Sequence, residues 1–420
     1  MKRITHNPYQ NVDWDTYTPH RAELHCHTTA SDGQADFGEM IEAFYAAGCD
    51  CLAITDHGAV DRSWTKPGFR LLPRLFTFRK HPFRKPAGLT EERLREISEG
   101  VGRDGRGMLR VPFGTEHSPG GGKMAHVCSW FCDVPSAAVG KADCTKAVRR
   151  ADRAGALCVI NHPTASMKNW KVPTVERYGG KHALYADKLQ RLFEQYPSLL
   201  GIELQDARDR KLWDILLGRL VPLGRGVLAI ATSDAHDAKE EISGHSPGWV
   251  EAMLPENTVE NFRKCLEDGA FFAVSRYVSF IWTPELIAAY PGLLPALRAE
   301  DKEHWTPELL TACPGLLPAL WEEDGENQPD ELDRYYYKAV YFNRRPMEKP
   351  MPAVTKITAE GGVISIKAKH CDVILWVSDG KYIASGDTLT LADCEGLGAY
   401  VRAELWGPGG SLHTQPFLLQ

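Results

Sequence analysis

No stretch of this 420-residue chain approaches the roughly 20 consecutive apolar residues that a membrane-spanning helix needs. Residues 1–10 are polar and carry no apolar segment of the kind a secretory leader uses. The eleven cysteines contain no CxxC pair and no regular spacing, so neither a disulfide scaffold nor a zinc ribbon is indicated. They read as reduced, mostly packed thiols of a cytoplasmic protein, Cys49 and Cys51 or Cys128 and Cys132 included. No phosphate-binding loop of the G-x-x-x-x-G-K type occurs. An excess of positive charge is also missing: the formal net charge is −6, which argues against a chain that coats nucleic acid along its whole length. With 43% hydrophobic and 25% charged residues, what remains is an ordinary globular composition, long enough for a barrel-sized domain and a smaller companion.

Short apolar runs alternate with amphipathic stretches through the first two-thirds of the chain. Glu23 to His27 reads as a strand, Phe37, Met40, Ile41, Phe44 and Tyr45 recur at helical spacing, and Cys51 to Thr55 is a second strand. The pattern continues with a helix over 143–154, a strand over Leu157 to Ile160, strands at Gly201 to Leu204 and Val227 to Ala231 around a helix over Lys211 to Leu220, a helix over Pro255 to Asp268, and a strand at Phe271 to Val274. Repeated strand-then-helix order predicts an α/β fold with parallel strands. Residues 60–110 interrupt it. Within them Lys66 to Lys85 holds seven Lys or Arg and no acidic residue, interleaved with Phe69, Phe76, Phe78 and Phe83, a composition suited to a single nucleic-acid strand or to a lid. Residues 282–323 repeat internally, WTPELIAAYPGLLPAL returning as WTPELLTACPGLLPAL, and read as a duplicated helical linker. From about Tyr335 the pattern becomes short alternating runs between Gly- and Asp-rich turns, predicting a small all-β sandwich. The expected division is therefore 1–280, 281–334 and 335–420.

Five times, a ligand-type side chain falls where an apolar run ends. His25 and His27 flank Cys26 and on a strand would project to one side, and Asp32 follows in the next loop. His57 closes Thr55-Asp56-His57; Glu116 closes Gly114-Thr115-Glu116, with His126 soon after; His162 follows Asn161; and Asp234 and His236 stand at alternate positions in Thr232-Ser233-Asp234-Ala235-His236. In a parallel β/α barrel all strand C-termini open on one face. Six histidines and three carboxylates gathered there would destabilise one another without cations, and imidazole mixed with carboxylate suits Mn, Zn or Fe.

These motifs together resemble the PHP (polymerase and histidinol phosphatase) family, over roughly residues 20–60 and 110–275. The resemblance implies a distorted (β/α)7 barrel, two or three divalent metal ions, and phosphoester hydrolysis by a metal-bridging hydroxide. By that resemblance His25, His27, Glu116 and Asp234 would hold one ion; Glu116, His126 and His162 a second; Asp32, His57 and His236 a third. Glu116, His57, His236 and Asp234 would then carry the catalysis. His117 competes with His126 as the local ligand, and His126 is preferred because Ala125 to Phe131 is strand-like. Glu203, in a segment that also resembles the family, reads either as orienting a ligating imidazole or as a structural carboxylate.

Arg208, Arg210 and Lys168 are candidates for clamping a substrate phosphate. The expected substrate is a small phosphomonoester such as a nucleotide. The alternatives are a short-oligonucleotide exonuclease acting through the basic segment, an amidohydrolase-type C–N hydrolase, and a metal-stabilised scaffold. The sequence leaves the oligomeric state open and calls for no membrane partner.

Overall fold

The computed structural model describes residues 2–68, 86–118, 125–135, 144–164, 181–205, 207–239, 248–276, 350–407 and 409–420. The basic run beyond Gly68, Lys168 and the duplicated 282–323 segment lie outside these residues. No described helix is long and apolar enough to cross a membrane.

The elements form in the order β1 (Ile4–His6), β2 (Thr18–Glu23), α1 (Phe37–Ala46), β3 (Cys51–Leu52), α2 (Glu91–Glu99), β4 (Leu109–Arg110), β5 (Thr115–His117), β6 (Val127–Trp130), α3 (Cys144–Ala154) and β7 (Leu157–Ile160). There follow α4 (Lys181–Gln195), β8 (Leu199–Glu203), α5 (Ala207–Leu220), β9 (Leu228–Ile230), β10 (Gly248–Leu254), α6 (Val259–Asp268) and β11 (Phe271–Ser275). Apart from a 3-10 turn at Leu391–Asp393, the elements of the last stretch are strands: β12 (Ala353–Glu360), β13 (Val363–Lys369), β14 (Val373–Ser378), β15 (Lys381–Ser385), β16 (Thr388–Thr390), β17 (Tyr400–Gly407), β18 (Gly410–Thr414) and β19 (Phe417–Leu419).

Local chemistry sets the ends of these elements. Asp36 and Glu39 form a reciprocal capping box at the start of α1, worth about 1 kcal/mol, which fixes the helix immediately after the loop that carries Asp32. Thr258 caps α6 through Asn261 N–H, so the helix begins there and not at Pro255. Strand β2 stops at Glu23 because that side chain accepts the N–H groups of Leu24 (3.0 Å) and His25 (2.8 Å), which a ladder would otherwise use. The strand therefore ends at the residue where the expected one, Glu23 to His27, begins, and beyond Glu23 only an isolated bridge at Cys26 remains.

A distorted (β/α)7 barrel is the expectation; among the described residues no closed barrel is seen. Strands β5 to β9 make one five-stranded sheet, while β2, β3 and β4 pair in parallel inside a separate eleven-stranded sheet. Two single parallel bridges join them, Cys26 to Ala235 and His57 to Glu116. The five-stranded sheet is also mixed: β6 runs antiparallel to both β5 and β7, and only β7, β8 and β9 are parallel neighbours. The cause is chain length. Only residues 118–126 separate β5 from β6, fewer than the dozen or so a parallel crossover requires.

Helices α3, α4 and α5 bury Val148, Ala151, Leu189, Phe193, Trp213 and Leu216 against Cys158, Ile160, Ile202 and Ala229 of that sheet. Each fully buried large side chain contributes roughly 1.5–3 kcal/mol. Strands β8 and β9 approach so closely at Gly201 that a Cβ there would lie 1.9 Å from Leu228 O, which explains glycine one step before the Ile202-Glu203 pair. Helix α1 packs Met40, Ile41 and Phe44 on Cys26, Leu52 and Ile54, the reverse side of the His25/His27 segment.

The C-terminal strands form two layers. β12, β13 and β16 make a three-stranded sheet, whereas β14, β15, β17, β18 and β19 belong to the large sheet, where β18 pairs with β11 and β19 with β1. Ile357, Ile364 and Ile366 of the small layer share a core with Trp376, Val401 and Leu405 of the other, and with Phe271 and Phe272 of β11. The sandwich-like tail therefore continues the same hydrogen-bonded sheet that carries β10 and β2.

Candidate metal centre

Alternation along the chain after β2 sends His25 and His27 to one side and Cys26 to the other, into the α1 core. His27 N–H donates to Ala235 O at 2.8 Å, so the His-Cys-His and Asp-Ala-His segments lie side by side. The His57–Glu116 bridge performs the same service on the other flank. His162 (φ 25°) and Asp234 (φ 51°) sit in the left-handed region, where a non-glycine residue is uncommon. Such conformations persist only where the surroundings hold them, and both of these residues turn a side chain into the cluster.

The first group of atoms comprises His25, His27, Glu116 and Asp234. Asp234 Oδ1 is 3.1 Å from His25 Nε2 and 3.2 Å from His27 Nε2. Glu116 oxygens lie 3.5 Å and 3.3 Å from the same nitrogens, and the two nitrogens are 3.1 Å apart. Ligands about 2.0–2.1 Å from a tetrahedral ion sit about 3.3–3.4 Å from one another, which these separations bracket. Around it, Glu116 Oε1 is 2.8 Å from His126 Nδ1 and 3.3 Å from His162 Nε2, while its Oε2 is 2.8 Å from His57 Nδ1. Asp32 lies 3.4 Å from His57 Nε2 and 3.5 Å from His236 Nε2. All nine predicted ligands fall in overlapping sets whose donor atoms are mutually within 4.8 Å.

Glu116 Oε2 and Asp234 Oδ1 are buried and make no hydrogen bond, although imidazole nitrogens stand within 2.8–3.2 Å of them. Close approach without hydrogen-bond geometry is what atoms directed at a common cation show. The donor set thus fits two or more divalent ions. Burial runs from Glu116, whose side chain is 1% exposed, outward to Asp32 (35%) and His236 (37%), so one end of the cluster is enclosed and the other is open.

Protonation tells the same story. Burial alone would push His25, His57 and His162 down, but the carboxylates reverse it. Asp234 is chief among those raising His25 well above its ordinary range, and Glu116 does the same for His57. His162, hydrogen-bonded to Glu116, is raised to about 9. Burial would push the carboxyls up, yet the neighbouring imidazoles hold Glu116 and Asp234 well below their usual range, His57 being foremost for the first and His25 for the second. The imidazoles and carboxylates thus favour one another's charged forms.

Behind the ligands stands a layer of anchors. Glu203 is fully buried, lies 2.7 Å from His25 Nδ1 through Oε1 and accepts His162 N–H at 2.6 Å through Oε2; Thr232 Oγ1–H also donates to it. With Nδ1–H directed at Glu203, the His25 ring turns Nε2 to the cluster. Of the two sequence readings of Glu203, the geometry therefore supports the orienting one. Three further anchors escaped the sequence reading. Glu23 takes the N–H of His25 and, at 3.1 Å, that of Ser233; Asn161 accepts Cys128 N–H at 2.8 Å and approaches Glu116; Asp56 accepts Thr28 N–H and Oγ1–H at 2.8 and 2.7 Å. Their positions within Glu-Leu-His, Asn-His-Pro and Thr-Asp-His were the available signal.

His117 points away from the cluster, its Nε2 2.9 Å from Ser129 Oγ, and burial lowers it to about 4. The preference for His126 agrees with this alternation along β5. Arg210 is not placed as a phosphate clamp: its guanidinium is buried, 3.3 Å from Glu404 and over the Trp406 ring, because α5 turns that side chain toward the tail. The side chain of Arg208 and all of Lys168 lie outside what is described.

No family model matches this sequence, and no curated protein matches it. Among solved structures it is similar to a two-domain protein from Bacteroides vulgatus containing a predicted PHP-like metal-dependent phosphoesterase, at 14% identity and TM-score 0.43, covering 98% of this chain and 97% of that one. It is similar also to an amidohydrolase from Chromobacterium violaceum with bound sulfate and no metal (16%, TM-score 0.31, 52% and 89% covered). A third is the lesion-specific endonuclease Q of Pyrococcus furiosus (12%, TM-score 0.33, 75% and 74% covered). Likenesses this distant say nothing of activity, which the residues themselves have to carry.

Proposed function

We propose that this chain is a metal-dependent phosphoesterase of the PHP type that hydrolyses small phosphomonoesters such as nucleotides, using two or three ions of Mn, Zn or Fe. The observation that carries the reading is the pair of buried carboxylate oxygens, Glu116 Oε2 and Asp234 Oδ1, left without hydrogen bonds among imidazole nitrogens. His25, His27, Glu116 and Asp234 would hold one ion, Glu116 with His126 and His162 a second, and Asp32, His57 and His236 a third at the open rim. Taken through the two single bridges, β2, β3 and β5 to β9 make a circuit of seven strands, the form in which we read a distorted barrel. Residues 1–280, 281–334 and 335–420 are the corresponding proposed units.

Bound cations would supply a water acidic enough to ionise near neutral pH and would neutralise charge on the ester's oxygens. The chain's own residues do the rest. Glu203 and Glu23 fix the His25 segment, so its ring would not reorganise as charge develops. His236 keeps Nδ1 on Asp234 O at 2.7 Å, which turns Nε2 toward Asp32 and the open rim. In place of a third ion, a protonated His236 could give a proton to the departing alkoxide: burial opposes its protonation, but the Asp32 carboxylate raises it above the ordinary histidine value. His57, held through Nδ1 beside Ser118 Oγ, is the alternative donor on that rim under the same condition.

The test is phosphate release from a panel of mono- and diesters by Mn²⁺-loaded protein, with Asp234→Asn and chelator as controls. Turnover lost in both controls is the expected result, with monoesters preferred. Preference for oligonucleotide diesters, with steep salt dependence, would replace the substrate assignment. Inertness toward every ester by protein that binds metal would overturn the phosphoesterase reading.

A further inference from the structure

The turn that delivers His162 is pinned from outside the ligand set. His162 has φ 25°, and Pro163 behind it has no N–H, so only two backbone donors remain in the turn 162–164. Both go to carboxylates of the next strand–helix unit. His162 N–H donates to Glu203, and Thr164 N–H (3.1 Å) donates to Asp209 Oδ1, as does Thr164 Oγ1–H at 2.6 Å. The other Asp209 oxygen accepts Gln205 N–H at 3.0 Å, and Gln205 Nε2 returns to Glu203 at 3.3 Å. Asp209 is buried, 1% exposed, in the first turn of α5, where the helix dipole favours a negative charge.

We infer that Asp209 is a positioning residue for metal: by clamping the loops that follow β7 and β8 to each other, it holds His162 in its left-handed turn and so sets the affinity of the subsite that includes His162. This rests on the metal-centre reading above. Asp209 touches neither ion nor substrate and acts through Thr164 and Gln205. The same helix ties the site to the tail. One step along, Arg210 meets Glu404, and Asp214 is held by Arg402 through Nε at 2.9 Å and Nη2 at 2.7 Å. The clamp therefore starts from a helix anchored on the other side by the strand β17.

The test measures metal stoichiometry and affinity calorimetrically on the full chain after chelator treatment, for wild type, Asp209→Ala, Asp209→Asn and Thr164→Val, beside the thermal transition of each metal-free protein. Wild type that binds no divalent metal would overturn the metal-centre reading itself. Given wild-type binding of two or more ions, Asp209→Ala should weaken one class of site by about 10- to 100-fold and leave the tightest class unchanged. Thr164→Val should move the same class in the same direction by less, and Asp209→Asn should recover part of the loss through its remaining carbonyl. Unaltered affinities in Asp209→Ala, whether or not its thermal transition drops, would refute the positioning role. If Asp209→Ala does not fold, Thr164→Val alone decides, and equal affinities for it and wild type refute the proposal.

Discussion

Loading the metal-free centre should expel protons, and their number follows from the structure. At pH 7.5 a group raised to about 9, as His162 is, remains about 97% protonated. His25 and His57 are also raised well above 6.5 by the surrounding carboxylates, so their nitrogens carry protons where ligand lone pairs are needed. Filling the sites at pH 7.5 should therefore release roughly two to three protons per molecule. For His162 alone the competition weakens apparent affinity about 30-fold at pH 7.5 relative to strongly alkaline solution, about 2 kcal/mol. The assay is titration of Mn²⁺ into chelator-stripped protein in buffers of different ionisation enthalpy, in which the slope of heat against that enthalpy counts protons. By pH 9.5 the His162 contribution should have fallen to about a quarter of a proton. No release at pH 7.5, with metal bound, would show that the imidazoles are already neutral and that the carboxylates do not dominate the site. The same shift has a stability consequence for the metal-free protein. With its folded value above its unfolded one, His162 contributes on the order of 3 kcal/mol, fully present below pH 6.5 and lost as pH rises through about 9, which chemical denaturation across that range would register.

Other perturbations separate the roles of neighbours. Glu203→Gln should leave the fold intact but weaken metal binding about 10- to 100-fold, because the ring of His25 loses its charged partner; equal calorimetric affinities would contradict this. His126→Ala should lower metal stoichiometry while His117→Ala should not, since only the former faces Glu116; loss of an ion in the His117 variant would reverse the assignment. Arg402→Ala takes from Asp214 its charged partner, leaving it the Tyr400 hydroxyl, and leaves Glu404 to Arg210; it should cost about 3–5 kcal/mol, measured as a lower denaturation midpoint, and a change under 1 kcal/mol would mean water reaches that network.

Most residues of the cluster were legible in the sequence because they stand where an apolar run ends, and their chemistry is uncommon in a core. His25 with His27, and Asp234 with His236, could be placed from strand periodicity alone. Glu203 was visible as a strand-end carboxylate, but its role depended on where His25 Nδ1 pointed. Asp209 could not be found, since its partner Thr164 is 45 residues away and nothing local distinguishes it from any acid in a first helical turn. The antiparallel β5–β6 pair could have been found, because the gap between Glu116 and Cys128 is too short for a crossover; the strand-then-helix rhythm on either side obscured it. Arg210 was misread for the opposite reason. An arginine near a predicted phosphate site suggests a clamp, whereas its partner, Glu404, comes from the far end of the chain. The tail's strands were evident from alternation, but not that β18 would pair with β11, since pairing between segments so far apart leaves no trace in either one.

That pairing bears on how the molecule is made. Synthesis delivers the His25 segment long before β18 and β19, yet the sheet that contains β2 includes both of those strands. Phe272 waits for Thr414, and Ile4 for Leu419. Until residues 410–419 emerge, β11 and β1 present unpaired edges, so the scaffold beneath the ligand cluster is completed only when translation of that stretch is complete. A premature stop before Gly410 would strip two strands from the sheet whose members β2 and β3 lead into His25, His27 and His57. The fidelity of the distant C-terminal strands and that of the metal cluster are, for a growing chain, a single checkpoint.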